Sequence, residues 1–246
     1  MNKSTSSTED RFQYLIKQRI KNFWGYGKLS GGVWFVGMEE GCDGSIPKLL
    51  KRFEETSEGE VFDIYDDMQS SADHMKWFEE DAPTQSTYRK LIYLLLYLQN
   101  HTEPTLEDIR EYQVKHFGRK KSDHAVLELM PLPSRSINQK DWVYASSGVK
   151  GLLSRKEYMK VYKPERIERL RELIQKHNPK FVILYSLTYL NDWREVADIQ
   201  LEEIFEKKLY IAKNDHTIYA VVPHSTAHGL FARDWKEIAE KLEDYQ

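Results

Sequence analysis

Only one cysteine, Cys42, occurs in the 246 residues. That excludes an intrachain disulfide, a cysteine-ligated zinc site and a four-cysteine iron-sulfur cluster, and it suits a reducing compartment. Apolar runs are short, and none reaches the length that crosses a bilayer. The stretch from Met1 to Asp10 is polar and lacks an apolar signal core. A soluble, cytoplasmic protein without a membrane partner is expected. Net charge is also scarce, at -3, so no whole-chain field draws the protein to DNA and any nucleic-acid surface must be local. No helix-turn-helix, zinc-finger or phosphate-loop pattern occurs, since Gly27-Lys28-Leu29-Ser30 lacks the Walker spacing. Internal repeats, low-complexity tracts and linkers are absent, which predicts a single domain over 1–246.

What is present is a set of apolar strands ending in polar residues. Val33 to Val36 stops at Gly37-Met38-Glu39-Glu40-Gly41, and the run from Ala125 to Met130, interrupted by Glu128, ends at Pro131. Phe181 to Tyr185 is a third run, while Leu209–Ile211 and Ile218–Val222 flank an Asn214-Asp215 turn. Helical spacing marks Phe12 to Ile20, Leu49 to Phe53, Leu91 to Leu98 and Trp235 to Leu242. Thr105 to Asp108 reads as a capping box, and Pro164 as the first residue of a helix ending near His177. Glu54 to Asp81 is acidic and aperiodic, and is expected to be an insertion over the surface behind a helical N-terminal extension. Helices between short apolar strands predict an α/β fold, a three-layer α/β/α arrangement around a mainly parallel sheet of four to five strands.

In such a sheet the carboxyl ends of the strands form the ligand-binding edge. Three ends are chemically equipped: Glu39 and Glu40 after the first strand, Glu128 with Ser134 and Arg135 around the second, and His224, Ser225, Thr226 and His228 after the last. A carboxylate facing a histidine can activate water and stabilise a developing anion. Each also has a structural reading. Glu39 and Glu40 suit a helix start, the histidines suit hydrogen-bonded loops, and Glu128 suits an ion pair with an arginine such as Arg135.

Together, Gly37-Met38-Glu39-Glu40-Gly41, Leu127-Glu128-Leu129-Met130-Pro131 and Val222-Pro223-His224-Ser225 resemble the uracil-DNA glycosylase superfamily, in element order from Gly31 to Leu242. The resemblance implies a base pocket in which Glu39, bracketed by Gly37 and Gly41, orients water. It implies that His224 stabilises the departing base and that Ser225, Thr226 and His228 lie on a loop touching DNA. Met38, Glu40 and Ser134 join the pocket by position. Glu128 stands where a uracil reader carries Asn, and Glu40 replaces a proline. An ionised Glu128 would offer only acceptors, which suits an exocyclic amine. The implied activity is hydrolysis of an N-glycosidic bond in DNA or a nucleotide, without cofactor or metal.

Between Lys115 and Arg166, twelve basic residues stand against five acidic ones. Arg119, Lys120, Lys121 and Arg135 are the expected nucleic-acid surface, with Trp142, Tyr144, Tyr158 and Tyr162 as possible stacking platforms. The same features fit a solvated face with ordinary aromatic anchors. Two other functions fit the residues: a non-catalytic sensor of nucleic acid or nucleotide, favoured by Glu40 and Glu128, and a metal-dependent hydrolase using Glu39, Glu40 and His224. The latter ranks last because no segment has metal-ligand spacing.

Overall fold

The computed structural model describes residues 3–69, 72–100 and 102–245. Met1 and Asn2 of the polar N-terminus, and Ser70 and Ser71 of the acidic stretch, lie outside them. The chain begins with α1 (Lys3–Asn22), β1 (Gly25–Gly27), β2 (Val33–Gly37), α2 (Ile46–Glu55) and β3 (Val61–Phe62). Next come α3 (Ile64–Met68), α4 (Ala72–Met75), α5 (Ser86–Asn100), α6 (Leu106–Lys115) and β4 (His124–Glu128). The second half holds α7 (Arg155–His177), β5 (Phe181–Tyr185), α8 (Leu190–Ala197), β6 (Glu202–Phe205), β7 (Leu209–Lys213), β8 (Ile218–Val222) and α9 (Ala232–Glu243).

Among the described residues the strands make one eight-stranded sheet in the order β3-β1-β4-β2-β5-β8-β7-β6. The central four, β4-β2-β5-β8, are parallel. They are also buried on both faces, because alternate side chains enter two different cores. Trp34, Val36, Leu127, Val182 and Leu184 pack with residues of α1, α2, α7 and α8. Val33, Phe35, Val126, Phe181 and Ile183 pack with those of α5, α6 and α9. The α/β architecture follows directly from this two-sided burial.

The sheet is larger and more mixed than the expected four to five strands. β1 pairs antiparallel with β4, and β7 pairs antiparallel with both β6 and β8. β1 has no apolar alternation to reveal it, since two of its three residues are glycine. A side chain at Gly25 would meet the Val126 carbonyl, and one at Gly27 the His124 carbonyl. The close approach that demands glycine also hides the strand. α7 begins nine residues before Pro164, capped by Ser154, whose hydroxyl accepts from the Glu157 N–H. Pro164 therefore lies inside the helix. The capping box at Thr105 and Asp108 is formed as read. No helix among the described residues is long and apolar enough to cross a membrane.

His124, wholly buried at the head of β4, joins strand to helix: its Nε2 accepts the Gly118 N–H at 2.9 Å and its Nδ1 lies 3.3 Å from the Tyr112 hydroxyl. Burial pushes its pKa down to about 4, with a smaller contribution from His116. In the unfolded chain the ring titrates at about 6.5, so the unfolded state takes up the proton first as pH falls. Stability is complete above about 6.5 and is lost between there and about 4. The expected loss is about 3 kcal/mol, readable from urea midpoints at stepped pH. In His124→Gln that part of the pH dependence should disappear.

Candidate functional site

Parallel register brings the strand ends level. Gly37 at the end of β2 lies opposite Glu128 at the end of β4, and Tyr185 at the end of β5 lies opposite Val222 of β8. Beyond the strands the chains stay side by side: Met130 N–H donates to the Met38 carbonyl, Ser134 N–H to the Glu40 carbonyl, and Gly41 bridges Ser134. As a result Glu39, Glu40, Glu128, Ser134, Tyr185 and His224 line one cavity of about 550 Å³. Four aromatic residues, Trp77, Phe78, Tyr88 and Phe117, also line it.

Gly37 is sterically required. A Cβ there would collide with the Tyr185 hydroxyl and stand 2.7 Å from Glu128 Oε2. Gly37→Ala should therefore cost about 1–3 kcal/mol through overpacking and displace both side chains, a result that a urea titration would read. Gly41 differs, since a Cβ there meets nothing within 4 Å.

The two acids after β2 have separate surroundings. Glu39 is gripped by Arg155, whose Nε lies 2.8 and 3.2 Å from its two oxygens and whose Nη2 lies 2.6 Å from Oε1. Burial pushes the Glu39 pKa up, against the opposing pull of Arg155. That strengthens it as a proton acceptor. Glu40 belongs to a buried network: Arg19 Nη2 lies 2.6 Å from Oε2, Arg52 Nη2 3.1 Å and the Tyr26 hydroxyl 2.6 Å from Oε1. Arg52 also binds Asp67 at 2.6 Å. The helix-start reading of these acids is corrected, because α2 begins at Ile46 after the Ser45 cap.

Glu128 forms no ion pair with Arg135, which is exposed. Its Oε1 lies 3.3 Å from the Tyr185 hydroxyl, while its buried Oε2 has no hydrogen-bond partner. Burial first, then the neighbouring Glu40, raise its pKa well above the usual glutamate range. That direction favours the neutral carboxyl group, whereas the acceptor-only expectation is for the ionised one.

His224 is held by its own turn. The Thr226 N–H lies 3.2 Å from Nδ1 and the Thr226 hydroxyl 2.8 Å from it. With Nδ1 accepting, we assign the proton to Nε2. Burial lowers the ring's pKa, favouring this neutral form. The site thus combines the Arg155-held carboxylate of Glu39, the buried carboxyl of Glu128, an imidazole N–H donor and aromatic side chains.

Several expected site residues are elsewhere. Met38 is a buried core side chain, Ser225 is half-buried, and Thr226 and His228 are exposed. The Ser134 hydroxyl donates to the Ser136 carbonyl at 2.7 Å. Arg119 pairs with Asp63 at 3.1 Å and lies over the Tyr65 ring. Lys120 and Lys121 are exposed in the turn before β4, at the end of that strand opposite Glu128. The basic excess is also partly consumed, since Arg155 serves Glu39, Lys115 serves Glu111, and Arg166 is buried against main-chain carbonyls. Trp142, Tyr144 and Tyr158 are core residues.

The aromatic lining was missed because it comes from the aperiodic acidic stretch, from α5 and from Phe117 in the turn after α6. Arg155 was missed as a site residue because its partner is 116 residues away. Tyr185 had a signal, a hydroxyl closing an apolar run. Compared with known proteins, the chain matches no family model and no curated protein.

Proposed function

We propose that this chain is a uracil-DNA glycosylase-like protein that accepts a nucleobase, extruded from DNA or carried by a nucleotide, and hydrolyses its N-glycosidic bond. One observation carries the reading: Glu39, Glu128 and His224, from three strand ends far apart in sequence, line the same aromatic-walled cavity. Glycosidic cleavage passes through an oxocarbenium-like state. Glu39 stabilises that positive charge and orients water, while Nε2–H of His224 donates to the departing base. The aromatic wall stacks on the base, which leaves the duplex to enter. A role in DNA repair and a cytoplasmic location accompany this proposal.

A second reading, a non-catalytic sensor of nucleic acid or nucleotide, is favoured by Arg155, which engages both Glu39 oxygens. The two are separated by incubating the protein with oligonucleotides and nucleosides bearing modified bases, then assaying both retention and free base. Base release that vanishes in Glu39→Gln supports hydrolysis. Salt-sensitive retention without release supports the sensor.

A further inference from the structure

Glu128 is the one acid of the cavity that no cation contacts directly among the described residues. Glu39 is neutralised by Arg155, and Glu40 by Arg19 and Arg52. The remaining polar groups of Arg19 serve the Thr56 hydroxyl and the Pro131 carbonyl. Arg166 reaches this residue only through its main chain, donating to the carbonyls of Glu128, Leu129 and Phe23. Glu128 is 7% exposed, its Oε1 is near the Tyr185 hydroxyl, and its Oε2 lies unpartnered beside the bare Cα of Gly37. An ionised carboxylate here would be a buried charge with no contacting counter-ion, which is strongly disfavoured.

We infer that Glu128 serves as a neutral carboxylic acid that recognises a planar heterocycle bearing one hydrogen-bond donor and one acceptor on adjacent positions, as on the edge of a cyclic amide. The inference rests on the base-pocket reading above and specifies its ligand. A neutral carboxyl presents one O–H donor and one carbonyl acceptor side by side, whereas a carboxylate presents acceptors only. The neutral group therefore pairs with a donor-acceptor edge and rejects an edge of two parallel donors. Glutamine presents the same neutral pair, so it is the conservative replacement. The direction of the Glu128 pKa shift, set by burial and by the nearby Glu40, agrees with this geometry.

The test uses the full chain with two cyclic amides, hypoxanthine and 2-pyridone, and with benzamidine, a planar ring carrying two parallel donors. Binding is followed by calorimetry or by ligand-observed magnetic resonance. Wild type and Glu128→Gln should bind the cyclic amides within about threefold of each other, and Glu128→Ala at least tenfold more weakly, with benzamidine unbound. Preference for benzamidine, or equal loss in Glu128→Gln and Glu128→Ala with both variants folded by circular dichroism, would overturn the inference. Independently of any variant's folding, the infrared spectrum of the wild-type protein should contain a protonated-carboxyl stretch that Glu128→Gln removes, and absence of that band also overturns it. If wild type binds no probe at all, the base-pocket reading falls together with the inference. Binding without base release from any substrate removes the hydrolytic reading alone.

Discussion

Replacing Glu40 with alanine is expected to destabilise the protein by about 3–5 kcal/mol, the range for breaking a buried ion pair from one side. Its side chain is 10% exposed and supplies the acceptor for Arg19, Arg52 and the Tyr26 hydroxyl. Truncation leaves Arg19, whose side chain is fully buried, with no carboxylate contact, and leaves Arg52 with Asp67 alone. The desolvation cost of Arg19 is then offset by no carboxylate, and that of Arg52 by Asp67 without Glu40. Glu40→Gln keeps an acceptor but loses the charge, so it should lie between wild type and alanine. Urea unfolding measures both, and a loss below about 1 kcal/mol for alanine would contradict the network's role. The prediction also separates neighbours in sequence: Glu40 acts on stability, whereas Glu39 acts on chemistry in the proposed hydrolysis.

The second large effect follows from the proposed hydrolysis and is on turnover. His224→Ala should lower kcat by about 10²–10³-fold with a small change in KM, as expected when a donor acts mainly on charge developing in the transition state. The pH profile follows from the same geometry. The ring's pKa lies below the ordinary histidine value because it is half-buried. Titration of His224 should therefore leave activity unchanged above pH of about 6.5 and lower it at more acid pH. Protonation at Nδ1 abolishes its acceptance of the Thr226 N–H, the contact that holds the ring in place. Thr226→Pro, which lacks that N–H, should lower kcat in the same direction.

The legible parts of this fold were those in which one period dominates. β2, β4, β5, β7 and β8 stood out as apolar runs, and their polar terminal residues pointed to the binding edge. β1 was hidden by the glycines that let it approach β4, and β3 by its two-residue length. The stretch from Glu54 to Asp81 had no period because it forms short pieces whose apolar residues, Ile64, Met68, Trp77 and Phe78, face the cavity. It is therefore a wall of the site, where a surface insertion was expected. Charge partners were the least legible part. Nothing local distinguishes Glu39 from Glu40, and only the fold assigns Arg155 to one and Arg19 with Arg52 to the other. Glu128 shows the same limit, since the upward direction of its pKa shift depends on burial and on which charges the fold places beside it.

The most direct test of the central claim is the reaction run in ¹⁸O-labelled water, with the products analysed by mass spectrometry. Hydrolysis at the glycosidic bond predicts free base without label and one ¹⁸O on the sugar carbon that carried it, with neither product formed by Glu39→Gln. Free base no more abundant than in the Glu39→Gln control, or a sugar product without the label, would contradict it.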